Sequence, residues 1–261
     1  MQHQRLSSSR PTRAAPPPPV PEPHCHSTAG IAAAAGKAAL ALAAVAALRE
    51  GWQRGRARDL RGDVALITGA GSGIGRELSL ALARAGCKLV LWGRRAEPLQ
   101  RVADEVRALA AADDTIDADV RIDAVDVSVQ AEVAEAGAQV LESLGRVDLL
   151  INNAGVHEGP GTLERTPEEI EAVLAINTHA HFWTLQAFLP AMLERDYGHV
   201  VTVGSAAGMI GVAGMLDYCA SKFAVRGMNV RPKLTPPFPV RRHPTPRHGC
   251  HHPLGASVAS A

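Results

Sequence analysis

A tyrosine and a lysine four positions apart are the residues of this sequence best suited to proton transfer. Tyr218 and Lys222 form a Y-x-x-x-K pattern, and Ser205 lies thirteen residues before the tyrosine. On a helix, residues four apart share one face. An ammonium beside a phenol stabilises the phenolate, so the hydroxyl can donate or accept a proton near neutral pH. A serine hydroxyl can stabilise charge on a carbonyl or alkoxide oxygen. The three residues therefore predict an acid–base site for such an oxygen.

A glycine-rich segment predicts a turn that holds the phosphates of a dinucleotide. The apolar run Asp63–Ile67 leads into T-G-A-G-S-G-I-G at 68–75, and a helical pattern follows. Glycine lets the backbone turn sharply, and a helix start offers unpaired N–H groups to phosphate. A turn between a strand and a helix is the context that this motif requires. The candidate cofactor-binding residues here are Thr68, Gly69, Ser72, Gly73, Ile74 and Gly75.

The residues after the second predicted strand favour NADP over NAD as the cofactor. Gly93, Arg94 and Arg95 follow this strand, with no carboxylate among them. A carboxylate there would bind the ribose 2′-hydroxyl of NAD, whereas an arginine accommodates a 2′-phosphate. The alternative is that Arg94 and Arg95 are solvated residues before a helix. Glu97 is expected to be a charge at that helix start rather than a ribose ligand.

The elements that must position these groups alternate between strands and helices. Short apolar runs are separated by longer segments with apolar residues at the helical period. The predicted strands are Asp63–Ile67, Lys88–Trp92, Arg121–Val125, Val147–Ile151 and His199–Val203. The predicted helices are Gly73–Ala85, Glu97–Ala112, Val129–Leu144 and Pro167–Arg195. This order predicts an α/β fold with a doubly wound, Rossmann-like parallel sheet.

Two further features complete a family pattern. N-N-A-G at 152–155 follows the fourth predicted strand, and Asn177 lies in an apolar helical stretch where asparagine is unfavourable. Together with the glycine turn, Ser205 and Y-x-x-x-K, they resemble the short-chain dehydrogenase/reductase (SDR) family over residues 60–228. The resemblance implies an oxidoreductase that transfers a hydride between NADP(H) and an alcohol or ketone.

The resemblance also implies roles for single residues. The catalytic residues it implies are Tyr218, Lys222, Ser205 and Asn177. The further cofactor contacts it implies are Asp126, Val127, Asn153, Ala154, Gly155, Tyr218 and Lys222. Asp126 would contact the adenine, and Asn177 would hold a water that relays protons. The residues themselves leave two alternatives open, because Asp126 is also a good helix N-cap and Asn177 could be a satisfied core asparagine.

Composition narrows the classes of partner. A formal net charge of +1 argues against a nucleic-acid surface, which needs a basic stripe. The four cysteines are scattered and form no C-x-x-C pair, so neither a disulfide framework nor a zinc site is predicted, and a reduced compartment is expected. His24-Cys25-His26 and the histidines between 248 and 252 lie in stretches expected to be disordered, so no metal site is predicted there either.

The N-terminal residues raise the question of localisation. Residues 1–28 are rich in Ser, Arg, His and Pro and are expected to be disordered. Residues 29–48 are Ala-rich with one charge, Lys37, and arginines follow them. They fit a membrane anchor of about 20 residues with a cytoplasmic catalytic domain, as in the endoplasmic reticulum. They also fit part of a plastid or mitochondrial transit peptide, or a solvated helix.

Three segments resemble the membrane-associated SDR branch of retinol and 17β-hydroxysteroid dehydrogenases. They are Asp59–Gly62, Leu91-Trp92 and Asp217–Val225, although Gly93 replaces an acid common in that branch. The resemblance implies a lipophilic substrate, and the wider family implies a homodimer.

The C-terminal end departs from the family pattern. Residues 229–261 contain seven prolines and no Asp or Glu, a composition that predicts a disordered tail. Such a tail is typical of translation out of frame or through an intron, and the alternative is a genuine natural variant. The chain is therefore expected to lack the last strands of the full fold, which leaves the fifth strand as an uncovered edge. The alternative function is then a truncated, catalytically impaired remnant that binds a cofactor or a partner.

Overall fold

A computed structural model describes residues 59–113, 116, 119–157, 161–228 and 255–259 of the chain. The predicted disordered segment 1–28, the Ala-rich segment 29–48 and most of the tail lie outside these residues. Among the described residues, no helix is both long enough and apolar enough to cross a bilayer.

Six parallel strands form one sheet. They are β1 (Val64–Thr68), β2 (Lys88–Gly93), β3 (Val120–Ala124), β4 (Leu149–Asn152), β5 (His199–Val203) and β6 (Gly255–Ala259). Their order across the sheet is β3-β2-β1-β4-β5-β6. β1 lies in the centre with all five of its residues buried. The chain reverses its direction of winding between β1 and β4, and ligands of such sheets bind beyond the strand ends at this point.

Helices cover both faces of the sheet. They are α1 (Gly73–Arg84), α2 (Ala96–Ala112), α3 (Gln130–Leu144), α4 (Pro167–Leu174), α5 (Ala180–Glu194) and α6 (Leu216–Met228). Leu78 and Leu82 of α1 and Val102 of α2 pack on one face of the sheet. Val133 of α3 and Phe188 of α5 pack on the other. The doubly wound parallel sheet predicted from the sequence is thereby confirmed.

The long helix predicted over Pro167–Arg195 is interrupted by a wider turn. Residues Ala175–His179 form a π-helical segment between α4 and α5. Thr166 caps the start of α4 through a capping box with Glu169. Short π-helical segments occur often at functional sites, and Asn177 lies within this one.

The prediction that the whole tail lacks a strand is wrong for its last part. Gly255–Ala259 pairs in parallel with β5, in the register His199↔Gly255 to Val203↔Ala259. The last proline is Pro253, so the residues after it can donate to a strand ladder. The uncovered edge expected at β5 is therefore occupied, because a strand edge presents unpaired N–H and C=O groups to any chain that can reach them.

Candidate active site

The turn after β1 is shaped by close backbone approaches. Gly69 and Gly73 have φ of +66° and +55°, which favour glycine. A Cβ on Gly75 would lie 2.2 Å from the carbonyl oxygen of Gly69. The first turn of α1 contains no acidic residue. This tight backbone and the positive end of α1 fit the pyrophosphate of a dinucleotide.

Thr68 and Asn153 connect this turn to the end of β4. Thr68 Oγ1 accepts hydrogen bonds from the backbone N–H groups of Asn153 and Ala154, both at 3.0 Å. Asn153 Nδ2 donates to the carbonyl oxygens of Thr68 and Gly69, at 2.9 and 3.2 Å. The fold thus brings together two predicted cofactor segments that are far apart in sequence.

The residues predicted to bind the adenosine end lie beyond β2 and β3. Arg94 and Arg95 are exposed between β2 and α2. The Oδ1 atom of Asp126 accepts hydrogen bonds from the backbone N–H and the hydroxyl of Ser128, at 3.0 and 2.6 Å. Asp126 therefore shapes the turn before α3. The alternative that it caps this helix is wrong, because the N-cap is Val129 and no side chain caps the helix. The contact of Asp126 with adenine remains a prediction. Val127 is buried among the core residues under α3.

The predicted catalytic pair, Tyr218 and Lys222, lies on α6, with the lysine buried. Lys222 Nζ is 5.7 Å from the centroid of the Tyr218 ring and donates to the carbonyl oxygen of Val203 at 3.2 Å. Burial lowers the pKa of Lys222 to about 8, because charge is poorly solvated there. The ammonium remains the main form at neutral pH but releases its proton more readily than an exposed lysine.

Ser205 stands at the start of a short 3-10 helix, Ala206–Gly208, directly after β5. Its Oγ accepts a hydrogen bond from the N–H of Ala207 at 3.2 Å. A Cβ on Gly208 would lie 2.7 Å from the carbonyl oxygen of Lys222. Glycine therefore lets the segment that carries Ser205 pack against the backbone of α6.

Asn177 is fully buried and connects three elements. Its Oδ1 accepts from the N–H of Val156 at 2.8 Å, and its Nδ2 donates to the carbonyl oxygen of Val156 at 3.0 Å and to Ser221 Oγ at 3.1 Å. The side chain thereby fixes the loop after β4 and the residue beside Lys222. These contacts match the core-asparagine alternative, and the proton-relay role remains a prediction.

Two histidines at the site were not predicted from the sequence. The ring of His157 lies 4.5 Å from that of Tyr218, centroid to centroid, at an interplanar angle of 39°. No local pattern indicates this contact, because the two residues come from distant segments. His181 is 3% exposed on α5. A polar residue in an apolar helix is the signal that identified Asn177, and it would have found His181 as well.

The fold and this arrangement define a Rossmann-type domain with a candidate dinucleotide site, and comparison with known proteins assigns the family. Residues 63–231 match the family model described as short chain dehydrogenase. The chain therefore belongs to the short-chain dehydrogenase family.

Known relatives share this region. Over 203 residues the chain is 39% identical to retinol dehydrogenase 10-B of Xenopus laevis, which covers 71% of this chain and 60% of the relative. A metagenomic short-chain oxidoreductase solved in complex with NADP is 35% identical, with a TM-score of 0.61 over 66% of this chain and 75% of that one. A short chain dehydrogenase/reductase from Burkholderia phymatum in complex with NAD is 32% identical, with a TM-score of 0.64 over 77% and 66%. The chain spans about 60% of the length of the curated relative.

Proposed function

We propose that this chain is an NADP(H)-dependent oxidoreductase that interconverts an alcohol and a ketone, with Tyr218 as its acid–base group. The observation that carries this proposal is the buried Lys222 beside the Tyr218 ring, with the Ser205 segment packed against the same helix. When bound, the nicotinamide supplies the hydride transfer. The Tyr218 hydroxyl gives or takes the proton at the substrate oxygen, Ser205 Oγ donates a hydrogen bond to that oxygen, and the Lys222 ammonium favours the phenolate.

The preference for NADP rests on Arg94 and Arg95. Both are exposed beyond β2, where the ribose of a dinucleotide in the glycine turn would lie. A guanidinium offers several donors in one plane to a 2′-phosphate. Solved relatives in complex with NADP and with NAD both exist, so the family does not fix the cofactor and the proposal rests on these local residues.

The substrate is proposed to be lipophilic. Met209, Ile210 and Leu216 are exposed in the segment between Ser205 and Tyr218, so an apolar molecule at the site would find apolar side chains beside it. The relative from Xenopus laevis is named a retinol dehydrogenase, which agrees with this class. Comparing turnover of retinal, a steroid ketone and a polar ketone tests the class, and turnover of the polar ketone alone would contradict it.

Homodimerisation and membrane association are proposed as accompanying properties. Phe182 and Leu193 are exposed on α5, and Phe223 is exposed on α6, which gives the two helices apolar area for a second copy. Light scattering of the purified chain measures the oligomeric state.

Membrane association is proposed for the Ala-rich residues 29–48, and fractionation of cells that express the chain with and without residues 1–58 tests it.

The deciding experiment measures cofactor binding and turnover separately, in the wild type and in Tyr218→Phe. The variant keeps the ring and loses only the hydroxyl. We expect NADPH binding to change less than about twofold and turnover to fall by about 10²–10⁴-fold, the usual contribution of general acid–base catalysis. A wild type that binds NADPH but turns over no alcohol or ketone would support the alternative, an impaired cofactor-binding protein. A wild type that binds neither NADPH nor NADH would overturn both.

A further inference from the structure

A buried ion pair involves the residue that directly precedes the predicted catalytic tyrosine. Asp217 comes before Tyr218 in the first turn of α6. Its Oδ2 atom lies 3.1 Å from Nη1 of Arg165, and the side chains of Arg165 and Asp217 are 2% and 1% exposed. Taking two charges out of water costs about as much as their attraction returns, so a buried ion pair is weak evidence for stability. The pair therefore needs another explanation.

A threonine of the same segment as Arg165 adds hydrogen bonds to the start of α6. Thr162 Oγ1 accepts from the backbone N–H of Leu216 at 2.8 Å. The same hydroxyl is within donating distance, 3.1 Å, of Asp217 Oδ1 and of the carbonyl oxygen of Gly214. The backbone N–H of Thr162 donates to that carbonyl oxygen at 3.0 Å. We call the three side chains of Thr162, Arg165 and Asp217 the α6 clip.

The backbone that carries the arginine is itself held in place. Arg165 directly precedes Thr166, which caps the start of α4 through its capping box with Glu169. Helix α4 packs against α6. The α6 clip therefore joins two elements that already have a defined place relative to each other, and it fixes the beginning of α6 against the beginning of α4.

A second connection to α6 lies one helical turn further along. Asn177 Nδ2 donates to Ser221 Oγ at 3.1 Å. Asp217 and Ser221 are four residues apart, so they lie on the same side of α6, and both are buried. Each of them directly precedes one member of the predicted catalytic pair, Tyr218 and Lys222. Successive residues of an α-helix differ in direction by a fixed angle, so holding the first pair sets the direction of the second.

We propose that the α6 clip fixes the rotation of α6 about its axis and thereby orients the Tyr218 hydroxyl, with Arg165 and Thr162 as positioning residues. Apolar packing is non-directional, whereas hydrogen bonds require a particular distance and angle. This difference explains why charged and hydroxyl groups occupy a buried contact that apolar side chains could fill. The inference rests on the proposed function for its catalytic consequence but not for the placement of Tyr218.

A double substitution separates orientation from stability. Arg165→Met combined with Asp217→Leu replaces the ion pair by apolar side chains, a change that is often neutral or stabilising in other proteins. We expect the melting temperature to be kept and kcat to fall about 10–10²-fold, because a small misplacement of a reacting group can cost this much. The Kd for NADPH should stay within about twofold of the wild type, since the glycine turn lies in another part of the sheet. Arg107→Met with Asp104→Leu, at an exposed ion pair of α2, is the matched control and should keep the wild-type kcat.

The threonine offers a milder test in case the double variant does not fold. Thr162→Val keeps the shape of the side chain and removes its hydroxyl, whereas Thr162→Ser keeps the hydroxyl. We expect Thr162→Val to lower kcat about fivefold, the equivalent of one hydrogen bond, with little change in KM. Thr162→Ser should recover most of this loss. Equal kcat values in the wild type and in both the valine variant and the folded double variant would overturn the positioning role.

The placement of Tyr218 also has a readout that needs no turnover. The chain has two tyrosines, and Tyr197 donates a hydrogen bond to Asp63 Oδ1 at 3.1 Å, near the starts of β5 and β1. With 3-fluorotyrosine incorporated into the full chain, Tyr218→Phe assigns the two ¹⁹F lines. In Thr162→Val the Tyr218 line should shift while the Tyr197 line stays in place as an internal reference. In Thr162→Ser both lines should stay close to their wild-type positions.

The two readouts distinguish failure of this inference from failure of the proposed function. A Tyr218 line that does not move in Thr162→Val would overturn the positioning role, whatever the turnover. If the wild type turns over no alcohol or ketone and the Tyr218 line still moves in Thr162→Val but not in Thr162→Ser, the proposed function fails and the orientation of Tyr218 by the α6 clip stands.

Discussion

The two halves of the sheet hold their functional groups by different means. In the half proposed to bind the nucleotide (the nucleotide half, β1 to β3), the candidate site is made mainly of backbone, and glycines allow contacts such as that between Gly75 and the Gly69 carbonyl. In the half proposed to be catalytic (the catalytic half, β4 to β6), the candidate site is made of buried polar side chains, among them Asn177, His181 and Lys222. A site built from backbone is blocked when a side chain adds atoms to it. A site built from side chains is weakened when one of its hydrogen bonds is lost. The halves should therefore fail under different perturbations.

The largest effect is expected from adding one methyl group to the nucleotide half. In Gly75→Ala, the new Cβ would lie 2.2 Å from a backbone oxygen that cannot move aside cheaply. We expect a loss of about 3 kcal/mol in the free energy of unfolding, the upper end of the usual cost of overpacking, together with loss of NADPH binding. Urea denaturation and fluorescence titration measure the two. Gly211→Ala, where a Cβ meets nothing within 4 Å, is the control in the catalytic half. Equal losses of stability and of NADPH binding in the two variants would contradict the difference proposed between the two halves.

Acid should weaken the catalytic half through His181. The pKa of this ring is about 4 in the folded chain, below the ordinary 6.5, so between these values the unfolded state takes up a proton that the folded state does not. The contribution to stability is complete above pH 6.5 and is lost as the pH falls towards 4. The difference corresponds to roughly 3 kcal/mol at most.

Denaturation at several pH values measures this loss. The pH dependence should be smaller in His181→Phe than in the wild type, and unchanged in His179→Asn. If the free energy of unfolding changed with pH equally steeply in the wild type and in His181→Phe, the ring of His181 would not titrate as its burial requires.

The same contrast explains how far the sequence alone could lead. The glycine turn and the Y-x-x-x-K pair are contiguous patterns, so their elements were predicted correctly, and β5 was predicted to the residue. The contact between His157 and Tyr218 depends on the folded path of distant segments and has no local signal. The π-helical segment 175–179 contains no proline or glycine, so its sequence does not predict the wider turn. The strand 255–259 was missed because the prolines before it dominate the composition of the tail.

A third test removes hydrogen bonds from the catalytic half without adding volume. In Asn177→Ala, the N–H and carbonyl of Val156 lose their side-chain partner, and so does Ser221. We expect about 2 kcal/mol lower stability and slower turnover, because Ser221 adjoins Lys222, while NADPH binding should change little. Gln139→Ala removes an exposed amide on α3 and should have no measurable effect. If Asn177→Ala weakened NADPH binding more than it slowed turnover, the two halves would not be separable in this way.

The smallest effect is expected at the outer edge of the nucleotide half, where the cofactor is proposed to meet side chains rather than backbone. Arg94→Ala and Arg95→Ala should each raise the Kd for NADPH about fivefold, which corresponds to about 1 kcal/mol for an exposed charge pair screened by water. The Kd for NADH should stay the same, since NADH lacks the 2′-phosphate. Arg101→Ala, at an exposed arginine of α2 that pairs with Glu97, controls for loss of charge alone. If the binding of NADPH and of NADH became weaker by the same factor, the two arginines would act by general electrostatic attraction and would not recognise the 2′-phosphate. If only the binding of NADPH became weaker, the two arginines would determine which cofactor binds. At this edge of the nucleotide half, side chains rather than glycine backbone would then make the contact that selects the cofactor.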